Sequence, residues 1–193
     1  VETVAVSLST GRWGSTAWLL LTLVVVLADQ FTKYLIVTRF DLFDSITITI
    51  WLDIMRLHNE GVAFSMFAEA SGWQRWFFSI LGFVVSGVIA VWLYRLPAKS
   101  QVLLAAGLAC VAGGALGNVI DRLFRGHVVD FIRVHYEDWF FPAFNVADSA
   151  ITVGATLIIL DSLIHAGRAK DAARRAARQR DADQSESGTR ANQ

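Results

Sequence analysis

The chain offers little sulfur chemistry and no metal-binding cluster. Its single cysteine, Cys110, lies inside an apolar stretch, so no internal disulfide forms and no C-x-x-C or Cys/His ligand set exists. Cys110 reads as a small packing residue rather than a nucleophile. The four histidines, His58, His127, His135 and His165, are scattered and contain no H-E-x-x-H pairing, which argues against a metal or other cofactor. There is no G-x-S-x-G elbow and no Ser/His pairing to support an acyl-enzyme route. The formal net charge is +0, so nothing favours nucleic acid as a partner. What the chain does have is apolar surface. Of its 193 residues, 54% are hydrophobic. Long unbroken apolar runs point to a membrane protein rather than to one or two soluble domains.

Four segments reach the roughly 20 apolar residues that cross a bilayer: Ser15 to Val37, Trp73 to Tyr94, Gln101 to Leu123, and Asn145 to His165. The first reads as a retained helix rather than a cleaved signal peptide, because its apolar part continues past Asp29 into "FTKYLIV" with no A-x-A site behind it. The fold class expected is therefore mainly α, a four-helix membrane protein. Between spans one and two, "DSITITIWLDIMRLHN" alternates and is rich in β-branched residues, the pattern of short strands or a hairpin. "VAFSMFAEASGW" after it reads as a short interfacial helix, with Trp73 and Trp76 anchoring span two at headgroup level. "RVHYEDWFFPAF", between spans three and four, is aromatic and also interfacial. Residues 1–14 form a terminus, 15–167 the membrane domain with outer loops near 38–72 and 124–144, and 168–193 a basic tail, helical at first and disordered at its end. Arg12, Arg95, Lys99, Arg168, Lys170, Arg174, Arg175, Arg178 and Arg180 share one side, which the positive-inside tendency makes cytoplasmic, with both termini.

The intramembrane polar residues converge on the other side. Asp29 and Lys33 lie on one helix face toward the outer end of span one. Asn118, Asp121 and Arg122 lie at the outer end of span three, Asp130 follows in the outer loop, and Asn145 and Asp148 open span four. Each residue has a purely structural account. Asp29 and Lys33 can be an i,i+4 ion pair, Asn145 a helix N-cap, and Asp121 and Arg122 a pair at a helix end. Gly113 and Gly117 can simply permit close helix packing. Asp130 can be a loop acid, and Asp148 an acid favoured by the helix dipole. Their common depth favours a site, because ionisable groups at membrane depth are expensive. Two carboxylates that share a site cannot both ionise easily, so one keeps a proton while the other acts as base. That pair can activate a water and protonate a carbonyl oxygen, with Asp148 the more acidic partner.

Five blocks then carry a resemblance: "DQFTK" (Asp29 to Lys33), "HNEGVAFS" (His58 to Ser65), "GGALGNVIDR" (Gly113 to Arg122), "GHVVDFI" (Gly126 to Ile132) and "FPAFNVADSAI" (Phe141 to Ile151). Together, from about Trp18 to His165, the sequence resembles the lipoprotein signal peptidases, the signal peptidase II family. The resemblance implies four membrane helices with a small extracytoplasmic β element and a short interfacial helix. It implies an aspartic endopeptidase of the bacterial inner membrane that uses no cofactor. Its substrate would be a lipid-modified prolipoprotein, cut just before the diacylglyceryl cysteine by a monomer among membrane lipids. By position, Asp130 and Asp148 match the catalytic pair. Asn59, Gly61, Asn118, Asp121, Arg122 and Asn145 match substrate-binding or supporting positions, and Asp29 and Lys33 match a structural polar pair. Glu60 stands where a small or neutral residue is expected, altering local charge without touching the pair. The rival expectation is a small transporter with an ion path through Asp29, Lys33, Asp121 and Arg122. It would need a polar line continuing to Asp161.

Overall fold

The computed structural model describes residues 13–61, 72–96 and 101–191. Along them run α1 (Trp13–Arg39), β1 (Ser45–Thr49), β2 (Leu52–Asn59), α2 (Trp73–Arg95), α3 (Val102–Phe124), β3 (Val128–Tyr136), β4 (Trp139–Phe140) and α4 (Val146–Ala191). Each of the four expected spans begins within about two residues of a helix start. All four helices are long and apolar enough to cross a membrane. The interfacial helix expected over "VAFSMFAEASGW" falls almost wholly on residues outside those described. The tail differs from expectation: α4 carries on to Ala191, well past His165. The physical reason is composition. "AKDAARRAARQR" is built from strong helix formers, and the preceding span already supplies the helix nucleus that an isolated segment would have to form at a cost.

The central helix is α3. Ala105, Leu108, Ala109, Ala112 and Val119 are buried along it, and α1, α2 and α4 all pack on it. Small residues set how close they come. A Cβ on Gly107 would stand 2.7 Å from the Gly154 carbonyl oxygen, and one on Gly154 would stand 2.6 Å from the Gly107 oxygen. The α3 and α4 backbones therefore touch, as membrane helices do when small residues face each other. Gly113 likewise lies against Val25 and the Thr22 carbonyl of α1, so the stripe suspected from sequence is a packing surface. The outward faces stay apolar and open, with Leu23, Leu27 and Phe31 on α1, Ile80, Phe83 and Val88 on α2, and Ile159 and Leu163 on α4. That is the surface lipid would cover.

The expected hairpin is β1–β2. It belongs to an antiparallel sheet with strand order β1-β2-β3-β4. Strand β3 was not anticipated from the sequence. Its first residues, Val128, Val129, Asp130 and Phe131, are all buried, so the apolar/polar alternation that announces a half-buried strand is absent there. Arg133 lies opposite Asp53 in the β2–β3 register and bonds it at 2.7 Å, while Thr47 of β1 donates to the other Asp53 oxygen at 2.9 Å. Arg133 holds the Asp53 carboxyl below the usual carboxylate range. The sheet connects helix ends on one side only: β1 and β2 follow α1, and β3 and β4 join α3 to α4. Exposed Tyr136, Trp139, Phe140 and Phe141 line its outer loop, and exposed Trp73 and Trp76 flank the start of α2, positions suited to an interfacial aromatic belt.

The Gly107–Gly154 contact gives a direct test. Gly154→Leu should destabilise the bundle by about 1–3 kcal/mol through overpacking. Gly167→Ala, where a Cβ meets nothing within 4 Å, should leave stability level or slightly higher. Thermal unfolding in detergent would read the difference, and equal midpoints would contradict the close contact.

Candidate active site

The site begins with a buried cation. Lys33, fully buried in α1, sits 2.9 Å from Asp29 Oδ2, 2.8 Å from Asp121 Oδ2 and 3.0 Å from Asn118 Oδ1. Asp121 also pairs with Arg125, one turn further along α3. Two carboxylates thus face two cations, which is how ionised groups become tolerable away from water. Gln30 closes the cluster, donating to Asp29, Asp121 and the Gly117 carbonyl at 3.1 to 3.2 Å and accepting from Arg125 at 3.1 Å. Gly117 has to lack a side chain, since a Cβ there would stand 2.5 Å from Asp29 Oδ2.

The cluster reaches outward to the other helix and to the sheet. Asp29 Oδ1 accepts the Ala147 amide at 2.9 Å, fixing α1 to the first turn of α4. Asp121 Oδ2 accepts the Val129 amide at 3.1 Å, fixing α3 to β3. Just ahead of α4, Phe144 exchanges backbone bonds with Ile132 at 2.8 and 3.0 Å. Asn145 is therefore held against β3.

Three amides then carry the order to Asp130 and Asp148. A lysine can only donate, so Asn118 must turn its oxygen to Lys33 and its nitrogen away. That nitrogen donates to Asp148 Oδ1 at 2.8 Å. Asn145 Oδ1 accepts the Asp148 amide at 2.9 Å while Asp148 Oδ2 accepts the Asn145 amide at 3.2 Å, a reciprocal cap on the N-terminus of α4. Asn145 Nδ2 donates to Asp130 Oδ1 at 2.7 Å. Asn59, at the end of β2, donates to Asp130 Oδ2 at 3.0 Å, and its own oxygen accepts the Gly61 amide at 2.8 Å. Gly61 has φ +86, a conformation that favours glycine. Burial pushes the Asp130 carboxyl up to about 6, and the nearby Asp148 charge pushes the same way.

Comparison with known proteins addresses the same stretch of chain. A sequence model of the family described as signal peptidase (SPase) II matches residues 21–164. A lipoprotein signal peptidase of Ectopseudomonas mendocina is 48% identical over 84% of this chain and 96% of its own. One from Pseudomonas aeruginosa is 48% identical over 78% of this chain and 89% of its own. A bacterial membrane enzyme solved by the in meso method at 1.9 Å superposes with a TM-score of 0.67 at 34% identity, covering 77% of this chain and 93% of that one. The chain belongs to the signal peptidase II family. It is an aspartic peptidase of the signal peptidase II type and a multi-pass membrane protein.

Within this signal peptidase II chain, the structure gathers the site residues expected from the sequence into one hydrogen-bonded group, Arg122 joining it only through a long bond to the Asn118 carbonyl. Arg122 is the correction among the pairings: Asp121 goes to Lys33 and Arg125 instead. Arg122 lies over the Phe78 ring at 5.3 Å, reaches the Asn118 carbonyl only at 3.4 Å, and feels the charges of Asp148 and Asp130. Its Nε is buried without a partner among the described residues. Gln30 and Arg125 were missed. Arg125 stands four residues after Asp121 and could have been found by helical spacing. Gln30 carried no signal beyond adjacency to Asp29. Among the described residues no polar line runs to Asp161. Asp161 pairs with His165 at 3.2 Å, and the part of the bundle that includes Ile158 is an apolar cluster of Leu93, Leu108, Ala109 and Ala112.

Lys33→Met should be severe, since it leaves two buried carboxylates short of a cation at a cost of about 3–5 kcal/mol. Adding Asp29→Asn should recover part of the loss. Melting of the purified variants would check this, and a Lys33→Met enzyme as stable as wild type would refute the buried-cation account.

Proposed function

We propose that this chain removes signal peptides from lipid-modified prolipoproteins, cutting before the diacylglyceryl cysteine, with Asp130 and Asp148 as the catalytic pair. The observation that carries the reading is the convergence on Asn145. Its side-chain nitrogen holds Asp130, and its backbone amide and side-chain oxygen hold Asp148. Two carboxyls from a strand and a helix are thereby presented side by side. The names of the relatives, lipoprotein signal peptidases, supply the substrate class.

The chemistry follows from the two environments. Asp148 receives donors from Asn118 and the Asn145 amide in the first turn of α4, a setting suited to an anion. Asp130 is buried and retains its proton up to about pH 6. Asp148 takes a proton from a water as its oxygen attacks the scissile carbonyl carbon. Asp130 gives its proton to the carbonyl oxygen. The tetrahedral species collapses as Asp148 hands its proton to the leaving amide nitrogen, one hydroxyl proton returns to Asp130, and the C–N bond breaks. Asn59 and Asn118 hold Asp130 and Asp148 in place, and Arg122 lies within reach of the charges of both carboxylates. The apolar flanks of α2 to α4 receive the acyl chains. Asp130, Asp148 and the side chains that hold them come from one copy, so a monomer carries the complete pair. The site lies on the periplasmic face and both termini in the cytoplasm, because exposed Arg168, Lys170, Arg174 and Arg175 lie on the stretch of α4 away from the sheet.

A gel-shift assay in liposomes tests the assignment. Wild type should cleave a prolipoprotein carrying diacylglycerol and leave the unmodified precursor intact. Asp130→Asn and Asp148→Asn, expressed to the same level, should each lose about 10²–10⁴-fold or more. Full activity in either variant would exclude the pair. The pH profile is a separate check. Because the Asp130 carboxyl is raised, its proton is lost only as pH rises through about 6, so kcat/KM should show an alkaline limb starting there. A profile that stays flat through and above that region would count against Asp130 as the acid.

A further inference from the structure

Two histidines scattered in the sequence meet in the fold. The rings of His58 and His127 stack with centroids 3.5 Å apart and planes 22° from parallel. His58 precedes Asn59 at the end of β2 and pairs with Val129 across the sheet. His127 follows Gly126 at the corner between α3 and β3, where the backbone takes φ +86. The stack therefore ties the end of β2 to the corner from which β3 starts, one residue from the amide that bonds Asp130 Oδ2 at 3.0 Å.

The surroundings select uncharged rings. Arg56 Nη2 lies 3.4 Å from His58 Nε2. A guanidinium only donates, so this contact is a hydrogen bond only when Nε2 accepts, as it does in a neutral His58 with its proton on Nδ1. Arg56 cannot easily withdraw, because its Nη1 donates to the Phe40 carbonyl at 2.9 Å and to the Val37 carbonyl at 3.3 Å. From β2 and its end, Arg56 opposes a charge on these rings and Glu60 favours it. From α3 and its cap, Arg125 opposes a charge on His127 and Asp121 favours it. Burial is the largest influence and holds both rings below the ordinary value of 6.5. The neutral stack is thus complete at and above 6.5 and is lost as pH falls through the lower folded values.

We infer that His58 and His127 are positioning residues for cleavage: the neutral stacked pair holds Asn59 on Asp130, and charging both rings parts the stack and releases that hold. This rests on the reading of Asp130 as a member of the catalytic pair. Two imidazolium rings at this separation repel, and Arg56 adds to the repulsion on one of them. The acid limb of activity then contains the histidines, while the alkaline limb belongs to Asp130.

The experiment is a kcat/KM–pH profile on a diacylglyceryl prolipoprotein, run with the full chain in detergent. Wild type stands beside His127→Phe, His127→Ala and Asp130→Asn. Phenylalanine can stack but cannot take a charge. At about pH 5, His127→Phe should keep at least about threefold more of its maximal rate than wild type does, with the alkaline limb unmoved. His127→Ala should lose about tenfold at neutral pH, and Phe should restore most of that loss. Coincident wild-type and Phe profiles, with Ala fully active, would overturn the inference. Ring resonances of the wild-type histidines give a second readout that needs no variant. Coupled titration below 6.5 with loss of the mutual ring-current shift is expected, and two independent ordinary titrations would overturn it. An active Asp130→Asn enzyme would remove the catalytic pair itself. An inactive one beside an unshifted His127→Phe profile would remove this inference alone.

Discussion

The polar cluster around Asp130 and Asp148 is oriented by one buried ammonium. Lys33 has only protons to offer, and it offers them to Asp29, Asp121 and Asn118 Oδ1. That single polarity propagates. It fixes which end of the Asn118 amide meets Asp148. Asp29 and Asp121, held as partners of Lys33, fix the Ala147 and Val129 amides. One cation therefore positions the first turn of α4 and the start of β3 together. A methionine of similar size would fill the space, yet it would leave the amides free to turn and the two acids unbalanced.

The second constraint is architectural. Asp130 comes from a strand and Asp148 from a helix, and neither element would hold its carboxyl beside the other without the short bridge between Phe144 and Ile132. With that bridge, Asn145 becomes both the cap of α4 and the donor to Asp130. Sites carried on regular elements and supported by fixed hydrogen bonds hold their geometry better than sites on loops. The His58–His127 stack does for Asn59 what the Phe144 bridge does for Asn145. It brings a donor to Asp130 from the opposite side of the carboxyl.

The legible part of the molecule was the part governed by local pattern. Apolar length gave the spans, and the shared depth of Asp29, Lys33, Asn118, Asp121, Asp130, Asn145 and Asp148 anticipated that these side chains meet in one hydrogen-bonded cluster. β-branched alternation gave the β1–β2 hairpin. The strand carrying Asp130 was hidden because both its faces are covered at the start. A pairing of Asp121 with the adjacent Arg122, one alternative that the sequence left open, is not the one that forms, because neighbours in a helix point about 100° apart and only i+3 or i+4 residues share a face. Arg125 satisfies that rule. No local rule could have revealed the histidine stack, which depends on how β2 registers against β3.

Asp148 shows how folding and chemistry share the same atoms. One of its oxygens caps α4 through the Asn145 amide, and the other meets Asn118. A carboxylate that caps a helix is already desolvated on one side and already supplied with donors, so its orientation is fixed before any substrate arrives. The cost is that any proton it takes weakens its own cap. Asp130, by contrast, gains from a proton, because burial disfavours its charge. The two carboxyls thus sit in different surroundings, one at a helix end among donors and one buried on a strand, set by structural roles that exist without substrate. On the proposed reading, the proton that burial keeps on Asp130 is the one the reaction spends.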